Sequence, residues 1–228
     1  MDAPALQAFG PRRVRIAVPL ALALVVVAGW AGTLGLDAAM EGHAAHRAGL
    51  AALFAMWVAM AVAMMVPVEA PSLLRLARSL RDAATFLSGY LLPWLAFSIG
   101  AAALQDRLRA AGWMDAGMAL SSRGVAAALL VAAGLAQLSP VREACLARCR
   151  AVSPGAGGLL GGLRASLSSI ACCGLLMLVP LATGMMSVAW MVALTLLLMV
   201  EREVPRAALI GTLAGVLLLL LAIWKLVA

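Results

Sequence analysis

The chain returns again and again to uninterrupted apolar runs of about 20 residues, and this restricts its fold more than any other feature. A helix of about 20 residues crosses the hydrocarbon core of a bilayer. The composition agrees, with 65% hydrophobic and 12% charged residues, against about 45–50% and about 25% in soluble domains. The runs are apolar all round and do not alternate as the strands of a membrane barrel do. We therefore expect an all-α, polytopic transmembrane helix bundle.

The length rule predicts about seven spans, with no long polar segment between them. The predicted spans are residues 15–36, 48–68, 84–105, 124–140, 160–183, 187–202 and 207–226. The first run is too long for the h-region of an ordinary signal peptide and lacks a clear cleavage site, so we expect it to be retained as a helix. Residues 1–228 are thus predicted to form one integral membrane domain, with a short cytoplasmic segment at 1–14.

The positive charges predict how the bundle is oriented. The chain carries 17 basic residues and a net charge of +7, and these residues flank the apolar runs instead of forming a patch for nucleic acid. With the N-terminus inside, only five lie in the outer segments, and 12 lie inside. The outer five are Arg47, Arg107, Arg109, Arg123 and Lys225. Because basic residues are retained on the cytoplasmic side, we predict a multi-pass protein of the bacterial inner membrane with its N-terminus in the cytoplasm.

Methionine is concentrated in the stretch "MWVAMAVAMMVP" at residues 56–67. Met56, Met60 and Met64 are four residues apart and form one stripe on the second predicted helix. Thioethers are soft ligands that suit copper(I). Methionine also fills irregular gaps in cores, and for this helix alone packing is the more common explanation. The stripe is therefore a candidate metal ladder or a packing surface.

All four cysteines lie in the C-terminal half of the chain. Cys145 and Cys149 are four apart within "VREACLARCR", for which we predict a short helix on the cytoplasmic face with its arginines towards lipid headgroups. Cys172 and Cys173 are adjacent in the fifth predicted span, and Cys173 and Met177 are again four apart. Thiolate and thioether together favour copper(I), or zinc if further ligands join. Buried cysteine also occurs simply as a small apolar residue.

The remaining polar features have simpler interpretations. His43 and His46 form a His-x-x-His pair in an outer loop, where a solvated loop explains them without a metal. Glu69 and Glu201 lie near inner membrane edges, where an acid is costly unless it is solvated or paired, so we expect them to anchor helix ends. Their candidate partners are Arg75, Arg202 and Arg206. The glycines of "GGLLGGL" have the spacing of close helix contacts, but that spacing is common by chance.

Several stretches, taken in order, resemble a known family. They are "MWVAMAVAMMVPVEAP", "SGYLLPWLAFS", "LSPVREACLARCR", "ACCGLLM" and "GMMSVAWMVALTLLLMVER". Over residues 55–203 the chain is similar to a bacterial family described as predicted metal-binding integral membrane proteins. The resemblance implies a polytopic inner-membrane protein with a metal site, and it implies no particular reaction.

The family motifs carry over only in part. The family's CLxxCR motif corresponds to Cys145, Cys149 and Arg150, and its twin cysteines to Cys172 and Cys173. Its Trp-Met pair and the acid closing the sixth span are matched at Trp190, Met191 and Glu201. The family commonly carries His-Gly and a further Cys before the twin cysteines. The positions that depart are Ala165, Ser166 and Ser169, together with Ser187 in place of the usual Asn. If the family binds metal through those groups, the resemblance implies a degraded or softer site in this chain, without the histidine and one thiol.

Two classes of function follow from these features. The first is a membrane metal-handling protein with copper as the metal, bound by soft sulfur ligands. The candidate ligands are Met56, Met60, Met64, Cys145, Cys149, Cys172, Cys173 and Met177. The second is a non-catalytic accessory or assembly subunit that packs against other membrane proteins and binds no metal. An enzyme is least favoured, because the sequence shows no catalytic triad, zinc-protease motif, phosphate loop or dinucleotide fingerprint. The expected partners are the lipid bilayer, a metal ion and other membrane proteins, and not nucleic acid.

Overall fold

Helices make up nearly all of the chain that the structure, a computed structural model, describes. The described residues are 12–39, 49–115, 118–150, 157–184, 187–204 and 208–227. The helices are α1 (Arg12–Ala39), α2 (Leu50–Leu76), α3 (Leu80–Ala110), α4 (Arg123–Leu138), α5 (Pro140–Arg150), α6 (Gly158–Thr183), α7 (Val188–Glu203) and α8 (Ala208–Val227). Within these ranges the extended structure is a single bridge between Met114 and Leu120. The all-α prediction is confirmed.

Each predicted span falls on one helix, and α5 is the predicted short helix. α2 is longer than predicted because it continues through Pro67 and Pro71 to Leu76; prolines are tolerated in membrane helices where neighbours satisfy the freed carbonyls. α3 begins early, at Leu80, because the Ser79 side chain accepts a hydrogen bond from the Asp82 amide.

Five of the described helices are long and apolar enough to cross a membrane alone, namely α1, α2, α3, α6 and α8. α4 and α7 have 16 residues each. They rise about 24 Å, less than the roughly 30 Å of a hydrocarbon core. α4 and α5 form a further apolar pair, bent by 65°. The count of seven spans and the N-terminus-in orientation stay predictions.

The helices pack as a row in the order α1, α2, α3, α6, α4 and α8. α7 lies against α2, α5, α6 and α8, and α5 lies against α4, α6 and α7. The central helices are the most buried. Of an 18-residue apolar stretch in each helix, 56% of the residues are buried in α2 and 61% in α6, against 22% in α1 and in α8. The outer helices therefore present leucine-rich faces to lipid, such as Leu20 and Leu24 on α1.

The closest crossing in the bundle, between α3 and α6, depends on two glycines. A Cβ added to Gly162 would overlap the carbonyl oxygen of Phe86 and lie 2.7 Å from the Tyr90 amide nitrogen. A Cβ on Gly89 would overlap the carbonyl oxygen of Leu159 in the same way. The backbones therefore touch at this point, as small residues permit in membranes. Gly162 belongs to the "GGLLGGL" stretch, whose spacing alone did not show this contact.

Candidate functional site

The methionine stripe on α2 is completely enclosed. Met56 is 2% exposed, and Met60 and Met64 are 0% exposed. Around the axis of α2, Met64 lies about 20° and Met60 about 60° from Trp57. The Trp57 indole Nε1 donates a hydrogen bond to Gln105 Oε1 of α3 at 2.7 Å. Met60 and Met64 therefore face α3 and belong to the hydrophobic core.

The cysteines, in contrast, come together from two helices. Cys149 Sγ of α5 lies 3.6 Å from Cys172 Sγ of α6. Cys145 and Cys173 are both within electrostatic range of the Cys172 thiol. We call these four residues the thiol cluster; none of them is in a disulfide. Its α5 members are half-buried and its α6 members are buried, so it extends from the surface of the bundle inwards.

A sharp bend brings α5 to this position. α4 ends at Leu138, and the Ser139 carbonyl and hydroxyl oxygens accept hydrogen bonds from the amides of Arg142 and Val141. The chain then leaves at 65° as α5. Leu146 is 7% exposed and holds α5 against the core. The two half-buried cysteines consequently lie over α6 instead of facing away from it.

Two buried ion pairs adjoin the thiol cluster, and both use the last turn of α7. Arg142 Nη2 of α5 donates to Glu201 Oε2, and Gln137 Nε2 of α4 donates to Glu201 Oε1 at 2.6 Å. Arg202 Nη2 lies 2.5 Å from Glu69 Oε2 of α2. Together the four charged side chains carry two positive and two negative charges, and each side chain is no more than 7% exposed.

The ion pairs bear on two predictions. Glu201 lies at a helix end as expected, although its partner is Arg142, which sequence proximity did not suggest. For Glu69 the expectation is wrong, because α2 continues to Leu76 and the acid lies inside the helix, where it pairs with Arg202. The arginines of α5 were predicted to point to lipid headgroups, and for Arg142 this is wrong: it is 7% exposed and points into the bundle. The reason is that a buried carboxylate needs a compensating cation, and Glu201 is the acid that faces α5. Arg206, His43 and His46 lie outside the described residues.

Tyr90 of α3 connects the region of the stripe to that of the thiols. Its hydroxyl lies 3.4 Å from the carbonyl oxygen of Met65 on α2 and 3.2 Å from Ser169 Oγ on α6. Ser169 is one turn before Cys173 and therefore on the same face of α6. The Cys173 thiol also lies within electrostatic range of Arg142, Arg202 and Glu201.

A second polar group lies at the other end of α2, and the sequence analysis did not single it out. The Gln105 side chain, 0% exposed, accepts from Trp57 and donates through Nε2 to Met118 Sδ at 3.7 Å. We call Trp57, Gln105 and Met118 the loop-end triad. A glutamine within a long apolar run was the signal available, because buried amides in membrane helices require partners.

The predicted ligands thus fall into separate groups. The cysteines gather, and Met177, fully buried, lies one turn beyond Cys173 on α6. The stripe does not join them: α2 packs along α1, α3 and α7, whereas α6 packs along α3, α4, α5 and α7. Among the residues that the structure describes, no three His, Cys, Asp or Glu side chains stand close enough to form a ready metal site.

The fold and the site together define the class: a multi-pass, all-α membrane protein whose thiols meet between two helices. Residues 54–225 match the family model of PpoB2, which is described as a copper chaperone. Since the match covers most of the 228 residues, the chain belongs to this copper chaperone family. This description supports the predicted relation to copper, and it differs from the family description that the sequence resemblance gave. No curated protein and no solved structure matches the chain.

Proposed function

We propose that this protein binds copper(I) at the thiol cluster and passes it on as a membrane copper chaperone. One observation carries the proposal: Cys149 and Cys172, 23 residues apart in sequence, meet at 3.6 Å between α5 and α6. Both sulfurs can reach one ion at a metal–sulfur bond length of about 2.3 Å, because their separation is less than twice that length. The pair therefore supports a bound ion with little movement of either helix.

The surroundings of the cluster favour a soft monovalent ion. The carboxylates nearby, Glu69 and Glu201, are both engaged by arginine. Thiol sulfur is then the soft donor in this part of the bundle, and soft thiolates select copper(I). A zinc site would need a closed set of four ligands. Two thiolates suffice for copper(I), and Cys145 and Cys173 lie beside the contacting pair.

Access to the cluster supports a role in transfer. Cys145 and Cys149 are half-buried, while Cys172 and Cys173 are 8% and 5% exposed. Copper would be received at the exposed pair and held at the inner pair, exchanging one thiolate at a time. By the distribution of arginines, the cluster faces the cytoplasm in a protein of the bacterial inner membrane. Cys145 and Cys149 are then the residues that meet a soluble partner.

An accessory subunit without metal is the alternative. The complete burial of Met60 and Met64 fits that alternative, because it gives the stripe a packing role. Packing does not by itself explain why two thiols from separate helices meet beside two ion pairs.

The test is copper(I) affinity in purified, detergent-solubilised protein, measured without oxygen against a competing chelator. The double variant Cys149→Ser/Cys172→Ser should lose at least about 100-fold in affinity, equal to about 2.7 kcal/mol. Met60→Leu is the matched control, since it removes a buried sulfur elsewhere and should bind as the parent does. If the parent binds no copper(I), or the folded double variant binds it equally well, the accessory role is correct.

A further inference from the structure

Met118, the methionine of the loop-end triad, has a backbone conformation that packing alone does not require. Met118 is 2% exposed and has a backbone φ of +59°, in the left-handed region that residues other than glycine rarely occupy. Such conformations persist only where the surrounding structure enforces them, and they cluster at functional sites. Met118 therefore combines a buried thioether with an unfavourable backbone conformation.

Several contacts fix the loop between α3 and α4, which the structure describes at residues 111–115 and 118–122. The Leu120 amide donates to the Leu181 carbonyl of α6 at 2.8 Å, and Met114 pairs with Leu120 in the isolated bridge. Asp115 Oδ1 accepts from the Ala119 amide at 2.9 Å, so this carboxylate closes the loop. The loop thereby holds two methionines, Met114 and Met118, over the C-terminal part of α6.

The orientation of the Met118 sulfur is also fixed. The sulfur accepts the Gln105 amide at 3.7 Å, and Gln105 is itself held by Trp57. A thioether sulfur has two lone pairs, and the amide occupies one of them. A hydrogen-bonded partner that orients a donor in this way is characteristic of metal sites. Met177, fully buried, lies one turn before Leu181, whose carbonyl accepts the hydrogen bond from the Leu120 amide.

We propose a second copper(I) site at the loop end, with Met118 as its central ligand and Met114 and Met177 as the further thioethers. Soft, uncharged thioethers select copper(I) over hard or divalent ions. Cys173 and Leu181 are about 12 Å apart along α6, with Met177 midway between them. The protein then has one site of thiols and one of thioethers, separated along α6. This inference rests on the proposed function only in taking copper(I) as the metal.

The experiment uses a full-length variant without cysteine, Cys145→Ser/Cys149→Ser/Cys172→Ser/Cys173→Ser, loaded with copper(I) under ascorbate. The parent should bind two equivalents and the thiol-free protein one. The copper X-ray absorption spectrum of the thiol-free protein should show sulfur neighbours, which in a chain without cysteine are thioethers. Adding Met118→Leu should weaken this remaining copper at least about tenfold. Adding Met199→Leu, at a part-buried methionine of α7, should leave it unchanged.

The possible failures are distinguishable. A folded thiol-free protein that binds no copper(I), or whose spectrum contains no sulfur, overturns the second site and leaves the thiol site intact. A thiol-free protein that keeps both equivalents overturns the thiol site instead. If Met118→Leu does not fold, Met177→Leu tests the same site by a volume-conserving change, and parent-like affinity in that folded variant contradicts the proposal.

Discussion

The methionine stripe of α2 and the thiol cluster of α5 and α6 are both rich in sulfur, and they are built in opposite ways. The stripe belongs to one helix and is 0–2% exposed. The cluster is formed by two helices and reaches from half-buried to buried positions. A residue that takes up and releases a metal must be reachable and must have a partner donor. The cluster meets both conditions, whereas Met60 and Met64 meet neither.

The same contrast appears in what holds each region. The stripe is covered by α3 through apolar contact and the Trp57–Gln105 hydrogen bond. The cluster is held by a bend of 65°, one packed leucine and the Arg142–Glu201 ion pair. α5 is therefore held by fewer neighbouring residues than α2 is, and we expect it to adjust to a ligand more readily. The stripe cannot change without unpacking the centre of the bundle.

The largest expected effect is that of Gly162→Ala, which should move the thiols of α6 away from α3 and from the methionine stripe. The added Cβ overlaps the backbone of Phe86, so α6 must move away from α3 and carry the thiols with it. We expect a loss of at least about 3 kcal/mol in stability and a low folded yield in detergent. Gly100→Ala on α3 is the control, since nothing lies within 4 Å of its Cβ. Equal yields of the two variants would contradict the close crossing.

The next effect concerns the charges beside the cluster. Glu201→Ala leaves Arg142 buried without its carboxylate and should cost about 3–5 kcal/mol, read from thermal unfolding. The double change Arg142→Met/Glu201→Leu removes both charges and should recover most of that loss. Glu203→Ala is the surface control: its partner Arg75 is 3.7 Å away and both are exposed, so about 0–1 kcal/mol is expected.

Thiol labelling compares the accessible and inaccessible ends of the cluster itself. In single-cysteine variants, Cys145 and Cys149 should react with a membrane-permeant maleimide at least about tenfold faster than Cys173, because they are half-buried whereas Cys173 is 5% exposed. In intact cells an impermeant maleimide should label none of them if the cluster faces the cytoplasm. Rapid labelling of Cys149 by the impermeant reagent would reverse the predicted orientation.

The smallest effect is expected for Met60→Leu in the stripe. Met60→Leu should change stability by less than about 1.5 kcal/mol, since the volume is nearly conserved. Met60→Ala should cost about 2–5 kcal/mol, as a cavity remains in the core. Neither should alter copper(I) affinity in folded protein. A tenfold loss of affinity in Met60→Leu with normal unfolding would make the stripe a set of ligands and remove the contrast between the two regions.

The sequence predicts the helices well because the residues that make a membrane span apolar are contiguous in the chain. The positions of α4 and α7 were predicted to within about two residues, and α5 was expected from Ser-Pro punctuation and the arginines. The extension of α2 beyond Pro67 was missed, because proline is a weak stop signal where neighbouring helices supply hydrogen bonds.

The site was only partly predictable. Cysteine and methionine could be named as soft donors from chemistry alone. The Cys149–Cys172 contact and the Arg142–Glu201 pair join residues 23 and 59 positions apart, and one sequence contains no signal for such tertiary pairs. The inward turn of Arg142 and the role of Gln105 follow from partners on other helices, which helical periodicity does not reveal.

The shortness of α4 and α7 has a consequence for the lipid around them. Both helices end in polar side chains, Gln137 on one and Glu201 with Arg202 on the other, after only 16 residues. α2, which packs against α7, has 27 residues. A bilayer meeting both lengths must thin on one flank of the protein, at a cost of fractions of a kcal/mol for each ångström of hydrophobic mismatch. The protein should therefore partition into thinner bilayers, and short-chain lipids should stabilise it more than long-chain lipids do.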